Sequence, residues 1–184
     1  RNISTLEGTR TFYRSAEEVA LLRKACCYAF ADYLAKLAGD YVEDLGNKYY
    51  TKLQEAINAC IEGDNAVKIL AAIVEDVTIV QQEGINVVLE GNDNTFDGTI
   101  YIEGQSRNEG AETLTIQNVN FTTSEASHYF IDSNSTESAK RYAHNVTIED
   151  CNFTATGEAV NTAVAARIRQ GFDIAINEST FNGL

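Results

Sequence analysis

Leu114-Thr115-Ile116-Gln117-Asn118-Val119-Asn120-Phe121, Val146-Thr147-Ile148-Glu149-Asp150-Cys151-Asn152-Phe153 and Ile174-Ala175-Ile176-Asn177-Glu178-Ser179-Thr180-Phe181 are three copies of one block. Their starts lie 32 and then 28 residues apart, a period that belongs to a coiled repeat. Apolar and polar residues alternate at both ends of each copy, so each reads as two short strands with one face turned inward. The alternation breaks at Gln117-Asn118 and Glu149-Asp150. Asn and Asp tolerate left-handed backbone and bond to nearby amides, so the strand bends there without a glycine. With one copy per coil, Leu114, Val146 and Ile174 form one column and Phe121, Phe153 and Phe181 another. Such columns make a continuous core that no single repeat forms alone. Cys151 falls at an inward position, equivalent to Val119 and Ser179, where a small thiol serves as apolar filler.

Upstream of the blocks the alternation begins just after Asp64. Val67-Lys68-Ile69, Val77-Thr78-Ile79, Val87-Val88-Leu89 and Ile100-Tyr101-Ile102 read as strands roughly ten residues apart, on successive faces of a coil. Polar turns such as Gln82-Glu83-Gly84 and Gly91-Asn92-Asp93-Asn94 separate them. Before Asp64 the period is helical. A helix is expected from Lys52 to Glu62, capped by Thr51 and stopped by Gly63, with Leu53, Ala56, Ile57, Cys60 and Ile61 buried. A much longer amphipathic helix is expected over residues 15–45. It opens on Ser15-Ala16-Glu17-Glu18 and carries Val19, Leu22, Cys26, Phe30, Tyr33, Leu37, Tyr41 and Leu45 as its stripe. That stripe needs a partner, either within the chain, in a second copy or in another protein.

The run Tyr50-Thr51-Lys52-Leu53-Gln54-Glu55-Ala56-Ile57-Asn58-Ala59, followed by Gly63-Asp64 and a Val/Ile strand, resembles the leading helix of right-handed parallel β-helices of the pectin-lyase-like type. Gly91-Asn92 through Phe96-Asp97-Gly98 is similar to the first-coil turn of that family. The resemblance covers residues 49–184. It implies a mainly β solenoid whose N-terminal helix caps the core, as in many bacterial secreted and surface proteins. The expected organisation is therefore an extension over 1–48 bearing the long helix, then a parallel β-helix over 49–184. The chain starts at Arg1 without an initiator Met or signal-peptide pattern, as expected of a processed chain. Leu184 follows directly on Phe181-Asn182-Gly183, where another turn would begin. A longer protein, or an end covered by another chain, is expected.

A net charge of −13 over 184 residues argues against nucleic acid and anionic membranes. No apolar run approaches the roughly 20 residues of a membrane span. The sequence has no Pro, Met or Trp. The four cysteines, Cys26, Cys27, Cys60 and Cys151, lack zinc-site spacing. Asn92, Asp93, Asn94 and Asp97 suit turns better than calcium, which would otherwise match the acidity. No cofactor is expected. The Asn-x-Ser/Thr triplets at Asn2, Asn120, Asn134, Asn145, Asn152 and Asn177 arise mostly from the repeat itself.

For chemistry, the fold resemblance implies polysaccharide lyases and glycoside hydrolases, which work through paired carboxylates or a base with calcium. Arg167-Ile168-Arg169 superficially resembles the Arg-Ile-Lys element of polygalacturonases. The aspartate pair, the Asn-Thr-Asp element and the Gly-His-Gly element that should precede it are absent. The tripeptide instead reads as a strand with Ile168 inward and both Arg outward. The irregular stretch from Ser133 to Ala143, flanked by His128 and His144, interrupts the repeat as binding loops on solenoids do. Tyr129, Asp132, Arg141, Tyr142 and His144, with Arg167 and Arg169, are the candidate ligand-binding residues; the alternative is a solvated insertion with no ligand. The expectation is a non-catalytic, secreted or cell-surface, adhesin-like module that binds a glycan or a surface protein. The alternatives are a β-helix polysaccharide-degrading enzyme and an assembly protein docking through the 15–45 helix.

Overall fold

The computed structural model describes residues 49–104, 110–133 and 135–184, together with the backbone of Val42–Glu43. The chain climbs in coils of three strands, each strand on a different side. The first coil contains β3 (Gly63–Ile69), β4 (Ile73–Val74) and β5 (Val77–Gln81). The second contains β6 (Ile85–Glu90), β7 (Thr95–Asp97) and β8 (Ile100–Gly104). The third contains β9 (Leu114–Gln117), β10 (Asn120–Thr123) and β11 (Tyr129–Asp132). The fourth contains β12 (Tyr142–Glu149), β13 (Asn152–Ala155) and β14 (Val164–Arg167). A fifth coil holds β15 (Gln170–Asn177) and β16 (Thr180–Asn182).

Equivalent strands pair in parallel and build three sheets. Sheet A runs β3-β6-β9-β12-β15, sheet B β4-β7-β10-β13-β16 and sheet C β5-β8-β11-β14. The architecture is a three-sided parallel β solenoid.

The columns expected from the repeat are present. Leu114 pairs with Val146 and Val146 with Ile174. Phe121 pairs with Phe153 and Phe153 with Phe181, and the column continues upstream through Phe96 to Ile73. Phe121 and Phe153 stack with ring centroids 4.8 Å apart and planes 2° from parallel. Phe153 and Phe181 do the same at 5.3 Å. Phe130 leans on both Phe121 and Phe153. The bends expected at Asn118 and Asp150 match their chemistry, with φ of 54° and 52°, and Glu178, which lacks that chemistry, takes 46° at the same position of the third copy. Cys151 is fully buried, and burial pushes its thiol up to about 11.

Sheet B is where the early coils depart from the expected pattern. The ten-residue spacing upstream is that between sheets A and C. β4 and β7 are only 2 and 3 residues long, each with a single inward residue: Ile73, beside the exposed Val74, and Phe96, between Thr95 and Asp97. The turn at Asn92 and Asp93 belongs to the second coil rather than the first. Gly91 is required there, because a Cβ would lie 2.3 Å from the Asn118 carbonyl oxygen.

The long amphipathic helix over 15–45 is not seen. Residues 1–41 and 44–48 lie outside the described residues. Val42–Glu43, inside the expected helix, is instead a strand, β1. It pairs antiparallel with β2 (Tyr49–Tyr50) and with the Lys68–Ile69 end of β3. The edge of sheet A offers unpaired backbone groups there, and satisfying that edge wins over the helical period. Among the described residues the only α-helix is α1 (Leu53–Asn58).

α1 starts at an N-cap of Lys52 with no side-chain cap bond; Glu75 Oε1 receives the Gln54 amide at 3.1 Å instead. Thr51 is therefore not the cap. The helix also stops short of Glu62, because the Asn65 side chain takes both the amide and the carbonyl of Ile61. Leu53, Ala56 and Ile57 are buried over the first coil, Cys60 is half-buried, and Ile61 is 72% exposed. The Gln54 carboxamide closes on both backbone groups of Thr78, at 2.6 and 2.9 Å. The helix thus covers the core and pairs the first edge of sheet C at once.

Phe121→Ala opens a cavity in the middle of the stack and is expected to lower stability by about 3–5 kcal/mol in urea titrations. Phe181→Ala, at a position 49% exposed, is expected to cost less than about 1.5 kcal/mol. Burial acts to raise the Glu90 carboxyl, but hydrogen bonds from the Gln117 side chain, the Asn92 amide and the Asn118 side chain, with the Lys68 charge, hold it below its ordinary value of 4.5. Its contribution is therefore complete above about pH 4.5 and lost as pH falls through the lower folded value. Glu90→Gln is expected to flatten that acid limb in urea titrations repeated at several pH values.

Candidate functional site

The outer face of sheet C carries the chemistry. Along one register column Thr78 pairs with Tyr101, Tyr101 with Asp132, and Asp132 with Arg167. The Arg167 guanidinium forks onto Asp132, with Nε 2.9 Å from Oδ1 and Nη2 2.5 Å from Oδ2. Its Cζ also lies 3.8 Å from the centre of the Tyr129 ring. A planar cation held by a carboxylate and an aromatic face is a rigid unit that Lys cannot copy. The bond to Asp132 raises the Arg167 pKa still further. The Asp132 side chain is 5% exposed and that of Arg167 30%.

Beside this column lies an open groove of about 210 Å³ lined by Asp76, Thr99, Tyr101 and residues 125–129. Thr99 ties two strands of its floor, its amide donating to Asp76 Oδ1 at 2.7 Å and its hydroxyl to the Tyr129 carbonyl at 2.8 Å. His128 lies below, only 9% exposed, its ring edge against Phe130. Nε2 is 3.0 Å from the Gly98 carbonyl oxygen. That oxygen only accepts, so Nε2 carries the proton. Nδ1 faces Glu125 Oε2 at 3.8 Å. A larger hollow of about 540 Å³, at the A–B corner of the last coils, is lined by Glu149, Asp150, Ile176, Asn177 and Glu178, with no aromatic among them.

The expected wall of ligand-binding residues is divided. Tyr129, Asp132 and Arg167 are brought together. Arg141 instead pins its own loop, donating from Nε to the Ser135 carbonyl at 2.6 Å and from Nη2 to the Thr136 carbonyl at 3.4 Å. Tyr142 begins β12, its backbone so close that a Cβ on Gly104 would meet its carbonyl oxygen at 2.5 Å. His144 is fully buried. The Gln81 carboxamide takes its amide and carbonyl at 2.8 and 2.6 Å, and its Nδ1 accepts the Gly110 amide at 2.9 Å. His144 thus fastens sheet A to sheet C. Arg169 lies past β14 in an exposed bend, its amide donating to Ser133 Oγ at 2.8 Å. Ile168 packs on the core.

Asp76, Tyr101 and Glu125 were not singled out by sequence. Tyr101 alone had a readable signal, as the outward aromatic of Ile100-Tyr101-Ile102. The Asn92–Asp97 cluster is occupied by turn bonds, the Asn94 side chain holding the Ile69 and Gly91 carbonyls. Among the described residues no three of His, Cys, Asp or Glu converge to hold a metal ion, and no helix is long and apolar enough to cross a membrane.

Fold and site together define a class: a parallel β solenoid with an aromatic, acidic groove on one outer face. Comparison with known protein families, with curated proteins and with solved structures found no match.

Arg167→Ala removes both the fork and the ring contact, and is expected to lower stability by about 1–3 kcal/mol, because Asp132 stays buried without its guanidinium. Arg167→Lys is expected to recover less than half of that loss, read from chemical denaturation of the three proteins side by side.

Proposed function

We propose that this chain is a non-catalytic β-helix module that holds a glycan along the outer face of sheet C. The carrying observation is that Tyr101 and Tyr129 line one groove, with the Tyr129 ring held by the Arg167 guanidinium. A ring fixed as Tyr129 is offers a flat apolar face to sugar C–H groups at little entropic cost, and the exposed Tyr101 adds a second face. Thr99, Asp76 and Glu125 supply polar groups for hydroxyls. The groove's setting supports binding rather than turnover: Asp132 is engaged by Arg167 and one Asp76 oxygen by the Thr99 amide. On the sequence resemblance, we place the solenoid in the right-handed pectin-lyase-like class and the protein outside the cell or on its surface.

The nine tyrosines and absence of Trp make tyrosine fluorescence a direct reporter. Titration with a panel of oligosaccharides is expected to show saturable binding that Tyr101→Ala weakens about tenfold, about 1.4 kcal/mol. The same panel should yield no new reducing ends or unsaturated products. Turnover of any member would replace this reading with the enzymatic one.

A further inference from the structure

We propose that the groove on sheet C selects a glycan bearing protonated amino groups over one bearing carboxylates. The inference rests on the glycan-binding reading above and adds the charge class of the ligand. It follows from where the charges of this face are spent. The one guanidinium on the column, Arg167, is turned onto Asp132 by both forks and covered by Tyr129. A uronate would have to break that unit to gain a cation. Among the described residues no Lys or Arg lines the groove itself, whereas Asp76 and Glu125 both do. Asp76 uses Oδ1 on the Thr99 amide, and no described residue bonds its Oδ2. The Glu125 side chain is 81% exposed at the mouth, 3.8 Å from His128 Nδ1. Two lysines of other elements are engaged elsewhere: Lys52 lies 3.7 Å from Glu75, and Lys140 lies 2.9 Å from Glu137 and 3.7 Å from Glu103. The ligand therefore meets two carboxylates that no described Lys or Arg pairs with, in a groove that two tyrosines also line. Aromatic faces and carboxylates both attract an ammonium group, and both disfavour an anion. The chain's overall charge of −13 acts in the same direction at longer range.

Calorimetric titration with glucosamine, N-acetylglucosamine and galacturonic acid oligomers of equal length tests this. The glucosamine oligomer is expected to bind about tenfold more tightly than its acetylated counterpart, with the galacturonate weakest. That preference should shrink in high salt. It should vanish in Asp76→Asn/Glu125→Gln, which keeps the hydrogen-bonding shapes and is checked for folding by circular dichroism. Galacturonate binding as tight as glucosamine, or a preference that survives the double substitution, overturns the charge inference and leaves glycan binding standing. Failure of all three oligomers to bind removes both. A lysine-rich peptide that binds more tightly than the glucosamine oligomer, and is indifferent to Tyr101→Ala, would also overturn the proposal, by reducing the effect to surface charge.

Discussion

Parallel pairing in strict register is the constraint on which everything else in this molecule depends. Two strands of one sheet that belong to successive coils place equivalent residues at the same height and on the same side. Whatever one coil puts inside, the next must match. The Phe96-Phe121-Phe153-Phe181 column is the result: rings repeated at strand spacing stack nearly flat between the third and fifth coils. Between Phe96 and Phe121 the planes tilt to 68°. There the second coil turns its corner with four residues, Gly91 to Asn94, where the third uses Asn118 and Val119. A change in corner length is thus felt directly as a change in core geometry.

The same constraint explains what was readable from sequence. Where corner and strand lengths repeat, as in the three copies of the block, columns and left-handed positions follow from the spacing alone. The signal fades where sheet B shrinks to β4 and β7, because a strand with one inward residue is too short to show a period. It fails for the helical stripe expected through Leu45. A 3.6-residue pattern records which residues are apolar but not whether an open sheet edge competes for their backbone, and at Val42–Glu43 the edge of β3 prevails. The early stop of α1 has a similar origin, in a side chain four residues onward, Asn65, that captures Ile61.

The groove was only partly readable, for a related reason. Asp132 and Arg167 are 35 residues apart and meet because they share a register column, one coil's length being their only connection. Tyr129 enters the unit from the same strand as Asp132, so those three could be suspected from one another. Asp76 and Glu125 reach the groove from corners of different coils, and no local pattern links them. His144 shows the converse hazard. A histidine beside an irregular loop looked available to a ligand, yet its neighbour across the core, Gln81, sits 63 residues away and encloses it.

The division of labour among the three sides explains why chemistry gathers on sheet C. The A–B corner is only two residues in the third, fourth and fifth coils, and its polar groups are spent within the scaffold: Glu90 takes the side chains of Gln117 and Asn118. On the outside of sheet B, Asn152 donates to Asn120, which donates to the Asp93 carbonyl. These ladders hold coils together and leave little to offer a ligand. The two corners flanking sheet C vary instead. The B–C connection grows from two residues at Gly98-Thr99 to five at 124–128 and eight at 156–163, while the C–A connection spans 133–141 in the third coil. Residues there are freed from register, and it is the 125–128 segment, fastened by the Ser127 amide to Thr162 Oγ1 at 3.1 Å, that walls the groove. Register places Tyr101 in the groove with Asp132 and Arg167 in the column beside it, and relief from register builds the wall. A site needs both, and sheet C is the side of this solenoid where they meet.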